Sequence, residues 1–319
     1  MQRLFRDVGG ACLAPHGSVV CIGAFDGMHL GHRAVLARVR ERAQALGLQS
    51  IAISFEPLPR EFFGHARKVP RLSSRREKIA QFVNAGIDRV LLLRFDAALA
   101  AMQAADFIER VLVARLHAKE VWVGEGFRFG HARGGDLTLL QAMGERLGFS
   151  AHALEPVVID GERISSSAIR DALAGGSFEI AARWLGRPFA IGGHVAHGQQ
   201  LGRKLGYPTA NLHLGRRTSP VVGIFAVHVA GVQAQTMPGV ASLGVRPTVN
   251  GREPLLEAHL FDFDGDLYGK RIEVEFVEKL RDEQKFADLD AMVKQIDRDA
   301  LAARKILSCG TTATAGALM

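Results

Sequence analysis

Short apolar runs alternate with amphipathic stretches over roughly the first 185 residues of the chain. The apolar runs have the length and composition of buried strands, and they lie at residues 19–22, 51–55, 90–95, 121–124 and about 153–158. Between them, apolar residues recur with helical spacing at residues 32–46, 75–85, 104–116 and 137–147. This alternation predicts an α/β fold, a doubly wound parallel sheet with helices on both faces.

The pattern changes from about Gly186 onward, where glycines separate many short β-type runs, among them residues 225–229, 255–263 and 272–277. Such runs predict a small antiparallel β-barrel. A helix should close the chain, with an apolar face formed by Leu289, Met292, Val293 and Ile296. We therefore predict one domain at residues 1–185, a second at 186–307 and a disordered tail at 308–319.

Composition narrows the class of protein. With 48% apolar and 23% charged residues, the chain is typical of globular enzymes. No apolar run approaches the ~18 residues of a transmembrane helix, and the N-terminus lacks the apolar core of a signal peptide. Three widely spaced cysteines argue against a disulfide framework and favour a reducing, cytoplasmic location.

The net charge of +7 leaves nucleic acid open as a partner. However, the basic residues are spread along the chain, and the aromatic residues (7%) do not interleave with them as a base-stacking surface requires. We therefore expect small anionic substrates, neither nucleic acid nor a membrane as partner, and a monomer or weak oligomer.

The most informative motif is the decapeptide at residues 23–32, between the first apolar run and the first predicted helix. Its glycines let backbone N–H groups approach a ligand, and a helix N-terminus offers unpaired donors and a positive dipole end. His29 and His32 are spaced to share one side of the first turn. Zinc would need three or four ligands, and no companion pair lies nearby. Phosphate is favoured, and a purely structural turn stays open.

The full pattern G-x-F-D-G-x-H-x-G-H resembles the ATP-binding signature of the nucleotidyltransferase superfamily. The resemblance implies that two catalytic histidines, His29 and His32, and the helix dipole stabilise charge on the α-phosphate of ATP. Another phosphate attacks there, and pyrophosphate leaves. The ATP-binding residues that it implies are Gly23, Phe25, Asp26, Gly27, His29 and His32.

A serine-rich segment at residues 164–170, I-S-S-S-A-I-R, opens another predicted helix. Serines at a helix start ordinarily cap backbone N–H groups. The segment is similar to the I-S-S-T-x-I-R stretch with which related nucleotidyltransferases hold ATP phosphates. The resemblance implies that Ser165 and Ser166 bind ATP and that the Arg170 guanidinium counters the triphosphate charge. Ser167 replaces the usual threonine and retains the hydroxyl.

Two further segments match the same family with one departure each. Residues 54–63 are similar to T-F-[DE]-P-H-P-x-x-F-F, but Leu58 replaces the usual histidine. Residues 123–130 carry Gly126 where the family commonly has Asn or Asp, a side chain expected to hydrogen-bond nucleotide or flavin. Flavin-binding residues implied by these segments are Phe55, Pro57 and Phe127.

A glycine-rich loop at residues 198–212 is the main motif of the second half. From spacing alone, a solvated loop is as plausible as a flap over phosphates. The segment looks like the P-T-A-N signature of riboflavin kinase, which implies that Thr209 and Asn211 hold Mg²⁺ and ATP; hard oxygen ligands are what Mg²⁺ prefers. The ATP-binding residues that it implies are Gly202, Lys204, Gly206, Thr209 and Asn211.

Glu257 lies within a strand-like run, where an acid usually faces solvent. The riboflavin kinase resemblance implies that Glu257 is the general base for the ribityl 5′-hydroxyl, a role that suits phosphoryl transfer. It also implies, less directly, that Arg281 borders the riboflavin site.

Nearly the whole chain resembles the family of bifunctional prokaryotic riboflavin kinase/FAD synthetases. This resemblance implies two reactions: riboflavin and ATP give FMN and ADP, and FMN and a second ATP give FAD and pyrophosphate, with Mg²⁺ needed for both. A chain active only as a riboflavin kinase, its adenylyltransferase weakened at Leu58 and Gly126, is the nearest alternative. A non-catalytic flavin- or nucleic-acid-binding module is the alternative from another class.

Overall fold

The computed structural model describes residues 3–64, 69–198, 206–215, 218–248 and 251–309. The chain divides into two compact units. Unit 1 comprises Met1–Val69 and Ser73–Ser166, and unit 2 comprises Pro70–Leu72 and Ser167–Met319. Within the described residues, no helix is long and apolar enough to cross a membrane.

Unit 1 is built on a six-stranded sheet in which every neighbouring pair is parallel. The order is β1-β4-β3-β2-β5-β6, which puts the first long apolar run near the centre. The strands are β1 (Leu4–Phe5), β2 (Ser18–Ile22), β3 (Gln49–Glu56), β4 (Arg89–Arg94), β5 (Ala118–Gly124) and β6 (Ser150–Leu154). Since β2 is buried along its whole length, it requires an apolar layer on each side.

Helices cover both faces of this sheet. Alternate residues of a strand point to opposite faces, so Val19 and Cys21 of β2 join one apolar cluster and Val20 and Ile22 join the other. The helices are α1 (Leu30–Leu46), α2 (Pro59–Phe63), α3 (Arg75–Asn84), α4 (Ala97–Ala101), α5 (Ala104–Phe107, continued by a π-helix at Ile108–Arg115) and α6 (Leu137–Leu147), with a 3₁₀ turn at His131–Arg133. The predicted doubly wound sheet is confirmed.

The predicted strand at residues 153–158 is wrong in its position. The fifth long strand, β6, ends at Leu154, and a separate hairpin follows, with strands β7 (Val158–Ile159) and β8 (Glu162–Arg163). Pro156 has no N–H to donate to a ladder, which explains why pairing stops before it. The short edge strand β1 was not predicted, because two residues carry no readable period.

Unit 2 contains a closed antiparallel barrel of six strands, in the order β10-β13-β12-β11-β14-β9. The strands are β9 (Ala190–Ala196), β10 (Ala210–His213), β11 (Gly223–Ala230), β12 (Met237–Thr248), β13 (Gly251–Leu260) and β14 (Arg271–Arg281). Two helices precede them, α7 (Ser166–Ala174) and α8 (Phe178–Leu185). The predicted barrel is confirmed.

The closing helix, α9, runs over Leu289–Cys309. It continues two residues into the predicted disordered tail, and the rest of that tail, residues 310–319, lies outside the described residues. The apolar face that packs on the barrel is also further along than predicted, since Ala303 and Leu307 are buried against Ala226 whereas Leu289 is 56% exposed.

Candidate functional site

The decapeptide forms a tightly packed turn between β2 and α1. Phe25 and Met28 adopt left-handed backbone conformations, with φ of 49° and 47°, and their side chains are each only 1% exposed. Packing in the core offsets the cost of these dihedral angles. Because the Phe25 ring is buried edge-on against Phe82, its predicted contact with ATP would have to be made by its backbone.

The two histidines lie together where α1 begins. His29 is the N-cap residue, and its Nδ1 accepts a hydrogen bond from the backbone N–H of His32 at 3.3 Å. In neutral His29 the ring proton is therefore on Nε2. The two imidazoles stack with centroids 3.7 Å apart and 20° between their planes. The predicted placement on one side of the first turn is confirmed, and the catalytic role stays a prediction.

His32 is neutral at physiological pH. Its pKa is lowered well below the usual value, mainly by burial and then by the charges of His29 and Lys78. Within the described residues, the buried Nδ1 of His32 has no hydrogen-bond partner. A neutral imidazole with an unused ring nitrogen suits hydrogen bonding to a ligand, and its protonation would be favoured once a phosphate is nearby.

The lowered pKa of His32 predicts that stability is lost at acid pH. Because the unfolded chain binds a proton at about pH 6.5 and folded His32 resists it, unfolding becomes easier as pH falls below about 6.5. We expect the Tm of the wild-type protein to fall further between pH 7.5 and 5.5 than the Tm of a His32→Gln variant, whose side chain stays neutral. Equal falls in differential scanning fluorimetry would contradict this prediction.

Asp26 stabilises the turn of the decapeptide through hydrogen bonds to Ser73. Its Oδ1 accepts hydrogen bonds from the backbone N–H and the hydroxyl of Ser73, at 3.1 and 3.3 Å, and the Ser73 Oγ accepts one from the Gly27 N–H at 3.0 Å. Asp26 is 2% exposed, so its carboxylate shapes the turn. Sequence reasoning missed Ser73, because nothing local links positions so far apart in the chain.

Lys78 of α3 is a second residue that sequence reasoning missed. It is fully buried, its Nζ donates to the Phe55 carbonyl at 3.2 Å, and its charge acts on His32. Buried lysines are rare unless paired or functional. The available signal was its spacing, four residues before the core residue Phe82 on the same helical face.

The serine-rich segment meets the decapeptide in unit 1. The Ser166 Oγ donates to the Asp26 carbonyl at 3.0 Å, and Ser165 beside it is half-buried. Arg170 lies on α7 in unit 2, where its Nε donates to the Pro70 carbonyl at 2.6 Å.

Aromatic side chains gather where β3 and β5 end. Phe55 contacts Phe95 edge-on, with ring centroids 5.8 Å apart, and Phe127 stacks on Phe129 at 5.6 Å. Phe63 also contacts Phe95 and is 64% exposed, so the aromatic residues around Phe55 have an edge that faces solvent. Rings of this kind are suited to packing against a planar heterocycle. Phe55 and Phe127 therefore lie in surroundings compatible with their predicted flavin contacts, and Pro57 follows β3 directly.

The two departures from the family pattern differ in their surroundings. Leu58 is 4% exposed and is the N-cap residue of α2, and its N–H donates to the Glu61 carboxylate at 2.9 Å. Gly126 has φ of 71°, and the space around its missing side chain is open. Leu58 is thus part of the packing, whereas Gly126 leaves room for a side chain.

In unit 2, the barrel register sets Asn211 of β10 directly opposite Glu257 of β13, and Glu257 is also opposite Ser242 of β12. Directly paired residues project to the same face of a sheet. Asn211 is 6% exposed, and its Nδ2 donates to the Thr209 carbonyl at 3.2 Å. Its Oδ1 is then the amide atom left to bind a cation, which fits the hard oxygen donors of a Mg²⁺ site.

A cavity of about 300 Å³ opens beside Asn211. Its lining includes Thr209 and Asn211 from the P-T-A-N segment and Leu267 and Tyr268 from the turn before β14. Polar groups and apolar side chains both contribute to the lining, a mixture that can bind a small polar molecule. Gly206 has φ of 84°, and the predicted ATP-binding residues Gly202 and Lys204 lie outside the described residues.

Arg281 is held by an ion pair at the end of β14. Its guanidinium bonds both carboxylate oxygens of Asp299 on α9, at 2.7 to 3.0 Å, and Gln295 also donates to Asp299 at 2.9 Å. The guanidinium therefore fastens α9 to the barrel, and the predicted contact of Arg281 with riboflavin stays a prediction.

A parallel sheet with a glycine-rich loop before α1, and a barrel with a cavity beside Asn211, define a two-domain nucleotide-dependent transferase. Comparison with family models matches residues 13–168 to FAD synthetase and residues 185–307 to riboflavin kinase. The chain belongs to the family of bifunctional riboflavin kinase/FMN adenylyltransferases.

Curated relatives agree with this assignment over nearly the full length, and one solved structure shares the fold. The bifunctional riboflavin kinase/FMN adenylyltransferase of Pseudomonas fluorescens is 48% identical over 91% of this chain and 93% of its own. The protein so named in Escherichia coli K12 is 45% identical over 95% and 97%. A Streptococcus pneumoniae crystal structure, described as a macrolide-efflux protein, has a TM-score of 0.78, 29% identity and coverage of 94% and 98%.

Proposed function

We propose that this chain makes FAD from riboflavin in two ATP-dependent steps. Unit 2 transfers the γ-phosphoryl group of ATP to riboflavin and gives FMN and ADP. Unit 1 transfers AMP from a second ATP to FMN and gives FAD and pyrophosphate. The observation that carries the proposal is that each compact unit has its own set of motif residues brought together, the stacked histidines in one and the Asn211–Glu257 pair in the other.

In the adenylyl transfer, the FMN phosphate attacks the α-phosphorus of ATP. His29 and His32, at the positive end of α1, hydrogen-bond the oxygens on which negative charge develops. Pre-arranged donors of this kind usually make the largest single contribution to lowering the activation barrier. Backbone N–H groups of the loop at Gly23 and Gly27 approach the phosphates closely. Ser165 and Ser166 bind the triphosphate, and the pyrophosphate leaves with the bond electrons; the contact of Arg170 with the triphosphate stays a prediction from the sequence.

In the kinase reaction, the riboflavin 5′-hydroxyl attacks the γ-phosphorus of ATP. Glu257 accepts the hydroxyl proton, and the ADP oxygen takes the electrons of the broken P–O bond. Thr209 and Asn211 would hold Mg²⁺ and the phosphates, and a cation there would supply positive charge against the phosphate oxygens. Gly206 lies against the same phosphates and Arg281 borders the riboflavin, whereas the ATP contacts of Gly202 and Lys204 stay predictions from the sequence.

The flavin of the adenylyltransferase lies, in this proposal, against the aromatic residues after β3 and β5. Phe55, Pro57 and Phe127 supply apolar contacts for the isoalloxazine ring. Small molecules (ATP, riboflavin and FMN) are the partners that we propose; a cytoplasmic location, a monomer or weak oligomer and the absence of nucleic acid from the partners stay predictions.

An assay with FMN, ATP and Mg²⁺ tests the proposal against its nearest alternative. We expect FAD and pyrophosphate by chromatography, in amounts that scale with the enzyme. The departures at Leu58 and Gly126 favour the alternative, a chain active only as a riboflavin kinase. Such a chain would give FMN from riboflavin but no FAD at any enzyme level. A non-catalytic module would give neither product.

Gly126→Asn is expected to raise adenylyltransferase efficiency. The left-handed backbone at Gly126 is one that Asn adopts readily, and a Cβ added there meets nothing within 4 Å. One added hydrogen bond to nucleotide or flavin should increase kcat/KM for FAD formation by about three- to tenfold. Gly126→Ala is the matched control, because it adds a Cβ without a hydrogen bond and should give no gain. Equal efficiency in the two variants would contradict the prediction.

A further inference from the structure

His259 lies on β13 two residues beyond Glu257, so both side chains project from the same face of the strand. Asn211 pairs with Glu257 and Ala210 with Ala258. Extending this antiparallel register by one residue brings Thr209 opposite His259. In this register, His259 is the cross-strand neighbour of Thr209, just as Glu257 is the cross-strand neighbour of Asn211.

The His259 ring is fixed by contacts to the turn that leads into β10. Its Nδ1 lies 2.9 Å from the Pro208 carbonyl oxygen, and since a carbonyl only accepts, the Nδ1 carries the proton. The ring contacts the rings of Tyr207 and Phe261 edge-on, with centroids 5.1 and 5.9 Å away and angles of 70° and 71° between the planes. Its orientation is thus determined before any ligand binds.

Backbone contacts on both sides of Thr209 restrict its position. Pro208 has no N–H, so its carbonyl is the only backbone group by which the turn can be held there. The next carbonyl, that of Thr209, accepts from the Asn211 amide at 3.2 Å. In addition, the Tyr207 hydroxyl donates to the Asp297 carboxylate of α9. Two consecutive peptide units are therefore held, one by His259 and one by Asn211.

We propose that His259 is a positioning residue of the kinase site, which holds the Pro208 carbonyl and so fixes the Thr209 hydroxyl beside Asn211 for binding of Mg²⁺ and ATP phosphates. The proposal rests on the assignment of Thr209 and Asn211 to that site. Because His259 acts through the backbone of the turn, its removal weakens Mg·ATP binding and leaves riboflavin binding and FAD synthesis from FMN unchanged.

Two substitutions in the full chain separate positioning from mere packing. His259→Leu retains a side chain of similar bulk and removes the N–H that donates to the Pro208 carbonyl. KM for Mg·ATP in FMN formation should therefore rise about three- to tenfold. His259→Asn retains an N–H close to the position of Nδ1 and should return KM to near the wild-type value. Riboflavin affinity is measured by quenching of riboflavin fluorescence. It should stay within about twofold of the wild-type value in both variants, because a substitution away from the riboflavin contacts has a small effect.

His117 provides a matched control in unit 1, because its Nδ1 also bonds a prolyl carbonyl, that of Pro15, at 3.0 Å. His117→Leu should leave KM for Mg·ATP in FMN formation unchanged. The proposal is overturned if His259→Leu leaves this KM unchanged, if His259→Asn and His259→Leu raise it equally, or if the loss lies in kcat alone.

Calorimetric titration with Mg·ADP needs no turnover. It therefore tests the role of His259 separately from the proposed function. We expect His259→Leu to bind Mg·ADP more weakly than His259→Asn and the wild-type chain. If the wild-type chain formed no FMN, the proposed function would fail, whereas this comparison would still decide the role of His259. Identical isotherms in all three proteins would overturn the role of His259 and leave the proposed function standing.

Discussion

Replacement of Glu257 by Gln is expected to lower kcat for FMN formation by about 10²- to 10⁴-fold, the usual contribution of a positioned general base. Gln retains the shape and hydrogen-bonding reach of Glu and cannot take up the hydroxyl proton. Since the substitution leaves the strand register opposite Asn211 and Ser242 unchanged, we expect riboflavin binding to change little. Single-turnover formation of FMN from riboflavin and ATP, followed by chromatography, measures the effect.

The adenylyltransferase supplies an internal control for this variant. Glu257 lies in unit 2, so FAD formation from added FMN should proceed at the wild-type rate in Glu257→Gln. Ser242→Ala is the matched substitution at the other residue opposite Glu257, and it should retain most kinase activity. Unchanged FMN formation in Glu257→Gln would refute the role of Glu257 and favour a kinase step driven by positioning alone.

The second large effect is expected from the histidine pair. His29→Ala and His32→Ala should each reduce FAD formation from FMN by about 10²- to 10³-fold, which is the loss seen when one pre-arranged donor to a developing negative charge is removed. The expected loss from His29 includes a structural part, because its Nδ1 caps α1 through the His32 N–H. FMN formation from riboflavin should be unaffected in both variants.

His29→Asn separates these two parts. Asn is a good N-cap residue and should restore the thermal stability that His29→Ala loses, while FAD formation stays low because no imidazole is present. If either alanine variant abolished FMN formation in a folded protein, the assignment of the two reactions to the two units would be wrong. Full FAD formation in His29→Asn would reduce His29 to a capping residue.

Motifs that lie in one stretch of chain predicted the geometry well. Residues three apart at a helix start lie on one side of its first turn whatever the rest of the fold does, and His29 and His32 do so. The P-T-A-N segment likewise places Thr209 two residues from Asn211, close enough for the amide to reach its carbonyl.

Contacts between distant segments could not be predicted in this way. Ser73 bonds Asp26, the buried Lys78 bonds the Phe55 carbonyl, and Arg281 pairs with Asp299. None of these pairs has a periodic signal, because which side chains meet depends on how strands and helices pack after the chain has folded. For the same reason, the ion pair of Arg281 with Asp299 could not be predicted from the sequence, and its contact with riboflavin stays a prediction.

The sequence by itself determined the two architectures, the turn that ends in the histidine pair and the identity of the candidate catalytic groups. The architectures and the turn follow from local periods, glycine positions and helix-terminus chemistry, which act over a few residues, and the catalytic groups follow from the resemblance of their motifs to known families. Only the tertiary structure decided the register that pairs Asn211 with Glu257, the bracing of the decapeptide by Ser73, and the hold of His259 on the Pro208 carbonyl. These depend on long-range burial and strand register, for which the chain carries no local signal.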